Sequence, residues 1–144
     1  MKQTSYIKTA LLLSFGGTLF AGYLSGIKFF TSTCAFNESC PYFIGYPACY
    51  FGLLMFLIMF VMSARAWLNA NHSLGAIKAN SVVSFLGILF AGTYTVQEIS
   101  RWITNGDPGY ALSLPTCAYG LVFYVIIFVL SVMAWKKSGA ASTV

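Results

Sequence analysis

The chain has 144 residues, of which 58% are hydrophobic and only 8% charged, and its formal net charge is +5. A soluble globular domain carries about 25% charged residues, so this composition excludes one and points to a membrane protein. With most of the length taken up by apolar runs, no soluble catalytic domain fits in what remains. Any chemistry must sit in the membrane bundle or on its short outer loops.

A helix needs about 20 mainly apolar residues to cross the hydrocarbon core. Four windows meet that length, at roughly 9–30, 47–66, 81–100 and 115–135. The first follows Lys2 and Lys8 and reaches the small pair Ala21 and Gly22, a pattern shared with cleavable signal peptides. Its residues recur, however. Ser14, Phe15, Gly17, Leu19, Phe20, Ala21 and Gly22 return 70 positions later as Ser84, Phe85, Gly87, Leu89, Phe90, Ala91 and Gly92, so the first span belongs to the folded unit.

Within that span Gly17, Ala21 and Ser25 are spaced by four, which lines small side chains along one helical stripe and lets another backbone approach. Gly87, Ala91 and Thr95 repeat the stripe in the third span, and the two stripes are expected to meet near the bundle axis. Lys28 lies about three turns beyond Gly17, and its counterpart is Glu98. This pair reads either as a charged site at the outer end of the bundle or as a snorkelling lysine with an interfacial ion pair.

The loop 31–46 carries Cys34 and Cys40, whereas the later outer loop replaces them with the turn cluster Asn105, Gly106, Asp107, Pro108 and Gly109. Pro47 and Pro115 open the second and fourth spans, where a missing amide donor costs nothing. From there Pro47, Cys49, Gly52, Leu53, Phe60, Ser63, Ala66 and Trp67 recur 68 positions later as Pro115, Cys117, Gly120, Leu121, Phe128, Ser131, Ala134 and Trp135. Steps near three, four and seven put these shared positions largely on one buried face. Between the copies, 68–80 reads as a polar inner linker, and its His72 as a solvated loop residue.

The expected fold is therefore an all-α membrane protein of one domain, 1–144, with four transmembrane helices formed by tandem duplication of a two-helix hairpin. Repeat one covers about 9–67 and repeat two about 79–135, and a pseudo-two-fold axis along the membrane normal relates them. Lys2, Lys8, Arg65, Lys78, Lys136 and Lys137 fall on one side against Lys28 and Arg101 on the other. Basic residues favour the cytoplasmic side, so both termini are expected inside, in a plasma or inner membrane. The positive charge is accounted for by this orientation, without a nucleic-acid partner.

All four cysteines then lie on the outer side, the oxidising compartment of most cells. Cys34 and Cys40 are close enough in sequence for a small disulfide ring, which would act as a loop staple or as a redox relay. Cys49 and Cys117 each fall in the first turn of a helix, where the dipole and open amides favour a thiolate. They are either a pair brought together across the pseudo-axis or small residues used for packing.

Cys34, five residues, Cys40, then Phe43-Ile44-Gly45-Tyr46-Pro47 with Gly52 and Leu53 resembles the loop and second helix of the vitamin K epoxide reductase-like proteins, over residues 34–56. The resemblance implies that Cys34 and Cys40 pass electrons between an outer thiol protein and an active-site pair beside a bound quinone. The family's CxxC at the last core helix is here Cys117-Ala118-Tyr119-Gly120, so a single cysteine matches it. A dithiol cycle needs a second sulfur, and Cys49 is the candidate to supply it.

The sequence has no phosphate-binding glycine loop, no metal-ligand cluster and no serine, histidine and acid set, so neither nucleotide nor metal is indicated. No span has a charge near its centre, which disfavours a pump. Three functions stay open. One is an outward-facing, quinone-linked thiol-disulfide oxidoreductase. The second is a non-enzymatic scaffold or accessory subunit, whose disulfide-stapled outer loop is read by a partner subunit. The third is a carrier of a small neutral solute. A bundle this small could also assemble into a homo-oligomer within the bilayer.

Overall fold

The computed structural model describes residues 3–33, 42–106 and 115–141. Its elements are α1 (Gln3–Thr31), a two-stranded hairpin of β1 (Tyr42–Phe43) and β2 (Tyr46–Pro47), α2 (Ala48–Leu68), a 3-10 turn at Ala70–His72, α3 (Ser73–Asn105) and α4 (Thr116–Ala141). All four α-helices are long and apolar enough to cross a membrane. The 21 residues of α2 rise about 30 Å, the thickness of the hydrocarbon core.

The helices are apolar outside as well as inside. Leu12, Leu19, Leu54, Leu57, Val82, Leu86, Leu89, Val122, Val125 and Val129 all point away from the bundle. In water such faces would demand a partner, whereas in a bilayer the lipid tails cover them. The protein is thus an all-α, multi-pass membrane protein, and its outer face contacts lipid.

The helices run up and down in a ring. α1 packs on α2, α3 packs on α4, α2 also runs beside α3 and α1 beside α4, which leaves α1 and α3 on opposite corners. Both described chain ends therefore lie at one end of the bundle, here the terminal end, and the β-hairpin caps the other, the hairpin end. Buried positions step by three and four in each helix. Phe56, Met59, Ser63 and Ala66 face inward from α2, and Tyr124, Ile127, Ser131 and Ala134 do so from α4. Such spacing is the seam of a left-handed, slightly crossed helix packing.

The small stripes do not meet each other as the sequence suggested. A Cβ added at Gly17 would collide with the Phe56 ring, and one added at Gly87 with the Tyr124 ring. Each glycine is therefore a notch for a ring from the next helix of its own hairpin, and the two rings stack on each other with centroids 4.4 Å apart and planes 11° apart. The small residues serve close approach, as expected, but the approaching group is an aromatic side chain. Matching contacts flank this centre: Phe15 meets Phe60 at 5.7 Å, and Phe85 meets Phe128 at 5.8 Å.

Below the stack, toward the terminal end, one polar side chain from each helix enters the core. Tyr6 of α1 shares a 2.7 Å hydrogen bond with Ser131 of α4, and the Asn80 amide of α3 donates to Tyr6 Oη at 3.1 Å and to Ser63 Oγ of α2 at 3.0 Å. All four are buried, with Asn80 1% exposed. In a bilayer no water is at hand for these groups, so bonding them to one another fixes helix register, with Asn80 Oδ1 alone of the cluster left without a partner. Ser14 and Ser81 are satisfied within their own helices, donating to the Ala10 and Ile77 carbonyls at 2.6 and 2.9 Å.

Asn80 also accounts for a boundary that sequence misplaced. Its polarity extended the expected inner linker to 68–80, but α3 begins at Ser73 and only 69–72 separate it from α2. Ser73, Ala76, Ile77 and Asn80 are buried at helical spacing, so the polar residue is a core group. His72 is exposed in the 3-10 turn. At the terminal end Lys8 lies 5.1 Å from the Trp67 ring centroid, an ammonium reaching out of the apolar zone.

Replacing Gly17 or Gly87 with alanine is expected to destabilise the bundle by about 1–3 kcal/mol through overpacking. Gly26→Ala is the control, because its added Cβ meets nothing within 4 Å. Thermal unfolding in detergent should show the first two melting lower and the third near wild type. Asn80→Ala, which removes two interhelical hydrogen bonds, is expected to cost about 1 kcal/mol in the same assay.

Candidate functional site

Above the stack, toward the hairpin end, the four helices leave a half-open slot of about 470 Å³ counting its mouth, of which about 60 Å³ admits the centre of a water molecule. Phe56 and Tyr124 form its floor. Phe20 and Phe90 stand at its sides, Ala21, Ala91, Gly52 and Gly120 keep it open, and Cys49, Thr116 and Cys117 complete the wall. Its lining is apolar and largely aromatic, with few polar groups.

Local sequence builds each wall. Gly52 and Gly120, one turn after the cysteines, present no side chain, and the Tyr124 hydroxyl donates to the Gly52 carbonyl across the bundle at 3.2 Å. Pro47 ends β2 and stands at the N-cap of α2 with φ −58° and ψ 135°, turning the chain from hairpin into helix. The hairpin turn places Ile44 at φ 52° and Gly45 at φ 82°, two successive left-handed residues that suit a two-residue turn. Its Phe43 packs edge-on against Phe51 at 5.2 Å and Phe90 at 5.5 Å, and Tyr94 Oη donates to the Tyr42 carbonyl at 3.4 Å. The hairpin is thus docked on the helices that wall the slot.

The sequence-derived cysteine pair therefore comes together on one cavity. Cys49 and Cys117 are the second residues of α2 and α4, half-buried, and both are thiols. Each sits in the first turn of its helix, facing the slot. Cys34 and Cys40, and with them the expected staple or relay, lie outside the described residues.

Lys28 and Glu98 go separate ways. The Lys28 ammonium donates to the Ser32 carbonyl at 3.1 Å and lies 5.5 Å from the Tyr42 ring centroid. Glu98 is 3% exposed, on the inward stripe of α3. Ser25 and Thr95 of the small stripes are buried near this level, and neither hydroxyl oxygen has a hydrogen-bond partner. Among the described residues no cluster of histidine, cysteine and acid could hold a metal.

Sequence reasoning missed Phe20, Phe56, Phe90 and Tyr124. The signal was present in the repeat: Phe56 and Tyr124 are 68 apart and Phe20 and Phe90 are 70 apart, the offsets of the two echoes. Aromatic residues so common in an apolar chain carried no distinction on their own.

Compared with known protein families, curated proteins and solved structures, the chain matches none.

The slot's apolar walls set a reactivity pattern for the thiols. An uncharged maleimide is expected to label Cys49 and Cys117 several-fold faster than a charged maleimide of equal intrinsic reactivity, read by peptide mass. Equal rates would mean that the thiols face bulk water.

Proposed function

We propose that this protein is a membrane thiol-disulfide oxidoreductase in which Cys49 and Cys117 exchange electrons with a quinone-like acceptor in the aromatic slot. The observation that carries this reading is the convergence of both thiols on one apolar cavity from the first turns of α2 and α4. A thiolate draws electrostatic help from a helix N-terminus, and a hydrophobic ring needs an aromatic cradle. Both requirements meet here.

In the forward direction the two thiols lose two electrons and two protons as an S–S bond forms and both S–H bonds break. The quinone takes both and leaves as a hydroquinone. An outer thiol protein then reduces the new disulfide by exchange, becoming a disulfide itself. The resemblance to vitamin K epoxide reductase-like proteins gives Cys34 and Cys40 the relay step between that partner and the embedded pair.

The finer architecture belongs to the same proposal. The chain is a tandem duplication, supported by the paired contacts at offsets of 68 and 70, with both termini cytoplasmic on the strength of the basic-residue bias. The hairpin end then faces the oxidising side of a plasma or inner membrane, where an outer thiol protein reaches it.

Cys49→Ser, Cys117→Ser and the double variant are each expected to reduce quinone-linked thiol oxidation to the same background, because members of one redox pair act as a unit. The assay follows quinone absorbance with a dithiol as reductant. Unchanged turnover in Cys117→Ser would remove the embedded pair from the mechanism and leave the non-enzymatic scaffold as the better reading.

A further inference from the structure

A second hollow opens at the terminal end, at the other end of the bundle from the thiols. Gln3 and Thr4 of α1, Trp67 of α2 and Ser73 of α3 are among the residues that line it, and its free space is about 110 Å³. Gln3 Nε2 donates to Ser73 Oγ at 2.9 Å, so the start of α3 holds the α1 amide at the hollow's wall. A primary amide has two N–H donors, and the second remains for a ligand. Thr4 adds a hydroxyl, and both Gln3 and Thr4 are exposed. One turn beyond Thr4, the Lys8 ammonium lies 5.1 Å from the ring centroid of Trp67, itself a wall of the hollow. Rotation of its long stem brings that cation to the hollow.

No acid answers this cation from its own end of the chain. Lys8, Arg65, Lys78, Lys136 and Lys137 are all exposed there, whereas the three acids, Glu38, Glu98 and Asp107, belong to segments toward the hairpin end. Trp67 and Trp135 are 50% and 47% exposed, and half-exposed tryptophans on apolar helices mark the level where hydrocarbon meets headgroups. We propose that the hollow binds the headgroup of an anionic phospholipid, its phosphate oxygens taking the Lys8 ammonium, the second Gln3 N–H and the Thr4 hydroxyl. A phosphate diester offers acceptors and no donor, which matches this set of donors. A soluble anion would meet the same donors but would leave the neighbouring Trp67 and Leu68 surfaces, the latter 84% exposed, without a partner that acyl chains provide. The lipid bridges α1, α2 and α3, and it does so independently of the thiol chemistry.

The test titrates dioleoylphosphatidylglycerol and dioleoylphosphatidylcholine separately onto the full chain in a neutral detergent and reads bound lipid by native mass spectrometry. The glycerol lipid should bind about five-fold more tightly than the choline lipid, the effect of one lysine on an anionic headgroup. Lys8→Met keeps an apolar stem and removes the charge. It is expected to weaken binding of the glycerol lipid about five-fold and to leave the choline lipid unchanged. Thr4→Val should weaken binding of both lipids about three-fold through one lost hydrogen bond. Lys8 and Thr4 are exposed, so neither variant disturbs the core. Lys137→Met is the control: it makes the same change of charge on α4, away from the hollow, and should leave affinity unchanged.

Equal losses in Lys8→Met and Lys137→Met would overturn the site, because a diffuse attraction between a basic end and any anionic surface then explains the binding. Equal affinity of the wild-type protein for the two lipids would overturn it as well. A further arm separates the lipid from a free anion. Inorganic phosphate at millimolar concentration and matched ionic strength should leave the glycerol lipid bound, and displacement of the lipid would show that the hollow takes a soluble phosphate instead. None of these readouts involves turnover, so failure of the lipid site leaves the oxidoreductase proposal standing, and loss of that proposal leaves the lipid site.

Discussion

The stacking of Phe56 on Tyr124 is the contact on which the rest of the bundle depends. Two large rings occupy the centre of a four-helix ring only because Gly17 and Gly87 each omit a side chain where a ring must lie. In a bilayer the hydrophobic effect gives helices no reason to prefer each other over lipid, so association rests on close packing and on polar groups that must be satisfied. The ring-in-notch contacts supply the first. They also set the distance between the two hairpins, and so the width of everything above and below.

Above and below, the same centre produces opposite environments. Toward the terminal end Tyr6, Ser63, Asn80 and Ser131 join in one hydrogen-bonded cluster with a member from each helix. Toward the hairpin end, Ala21, Gly52, Ala91 and Gly120 are too small to fill the space that the rings hold open, and a slot results. The near-symmetry is broken at one instructive place. Where α2 has Phe56, α4 has Tyr124, whose hydroxyl reaches the Gly52 carbonyl and ties the slot's floor to its wall. The cysteines sit where the slot, the helix dipoles and the docked β-hairpin converge.

Much of this was legible in the sequence. Apolar windows of membrane-spanning length gave the four helices, and the echoed glycines marked the stripes that pack closely. The partners of those stripes were not legible, because a glycine announces that something approaches and does not say what. Asn80 shows a second limit: a polar residue beside a polar loop reads as loop until tertiary contacts reveal a buried donor. Its partner Tyr6 was equally hidden, since neither has a matching residue in the other half: Ala76 stands opposite Tyr6 and Ala10 opposite Asn80. That Cys49 and Cys117 line one slot was accessible because the matching positions of the two sequence echoes are themselves a statement about space. The expectation for Lys28 and Glu98 used the same logic and led elsewhere, as α1 and α3 lie on opposite corners and the lysine is long enough to turn to Ser32 and Tyr42.

The central claim is that Cys49 and Cys117 are one redox pair across the slot. Incubating the reduced protein with a membrane-soluble quinone, quenching by alkylation and mapping the peptides by mass tests it most directly. The account predicts a linked Cys49 and Cys117 peptide, two hydrogens lighter than the sum of its parts, formed in step with hydroquinone. Recovery of both peptides separately alkylated after quinone exposure, in protein that retains its fold, would contradict it.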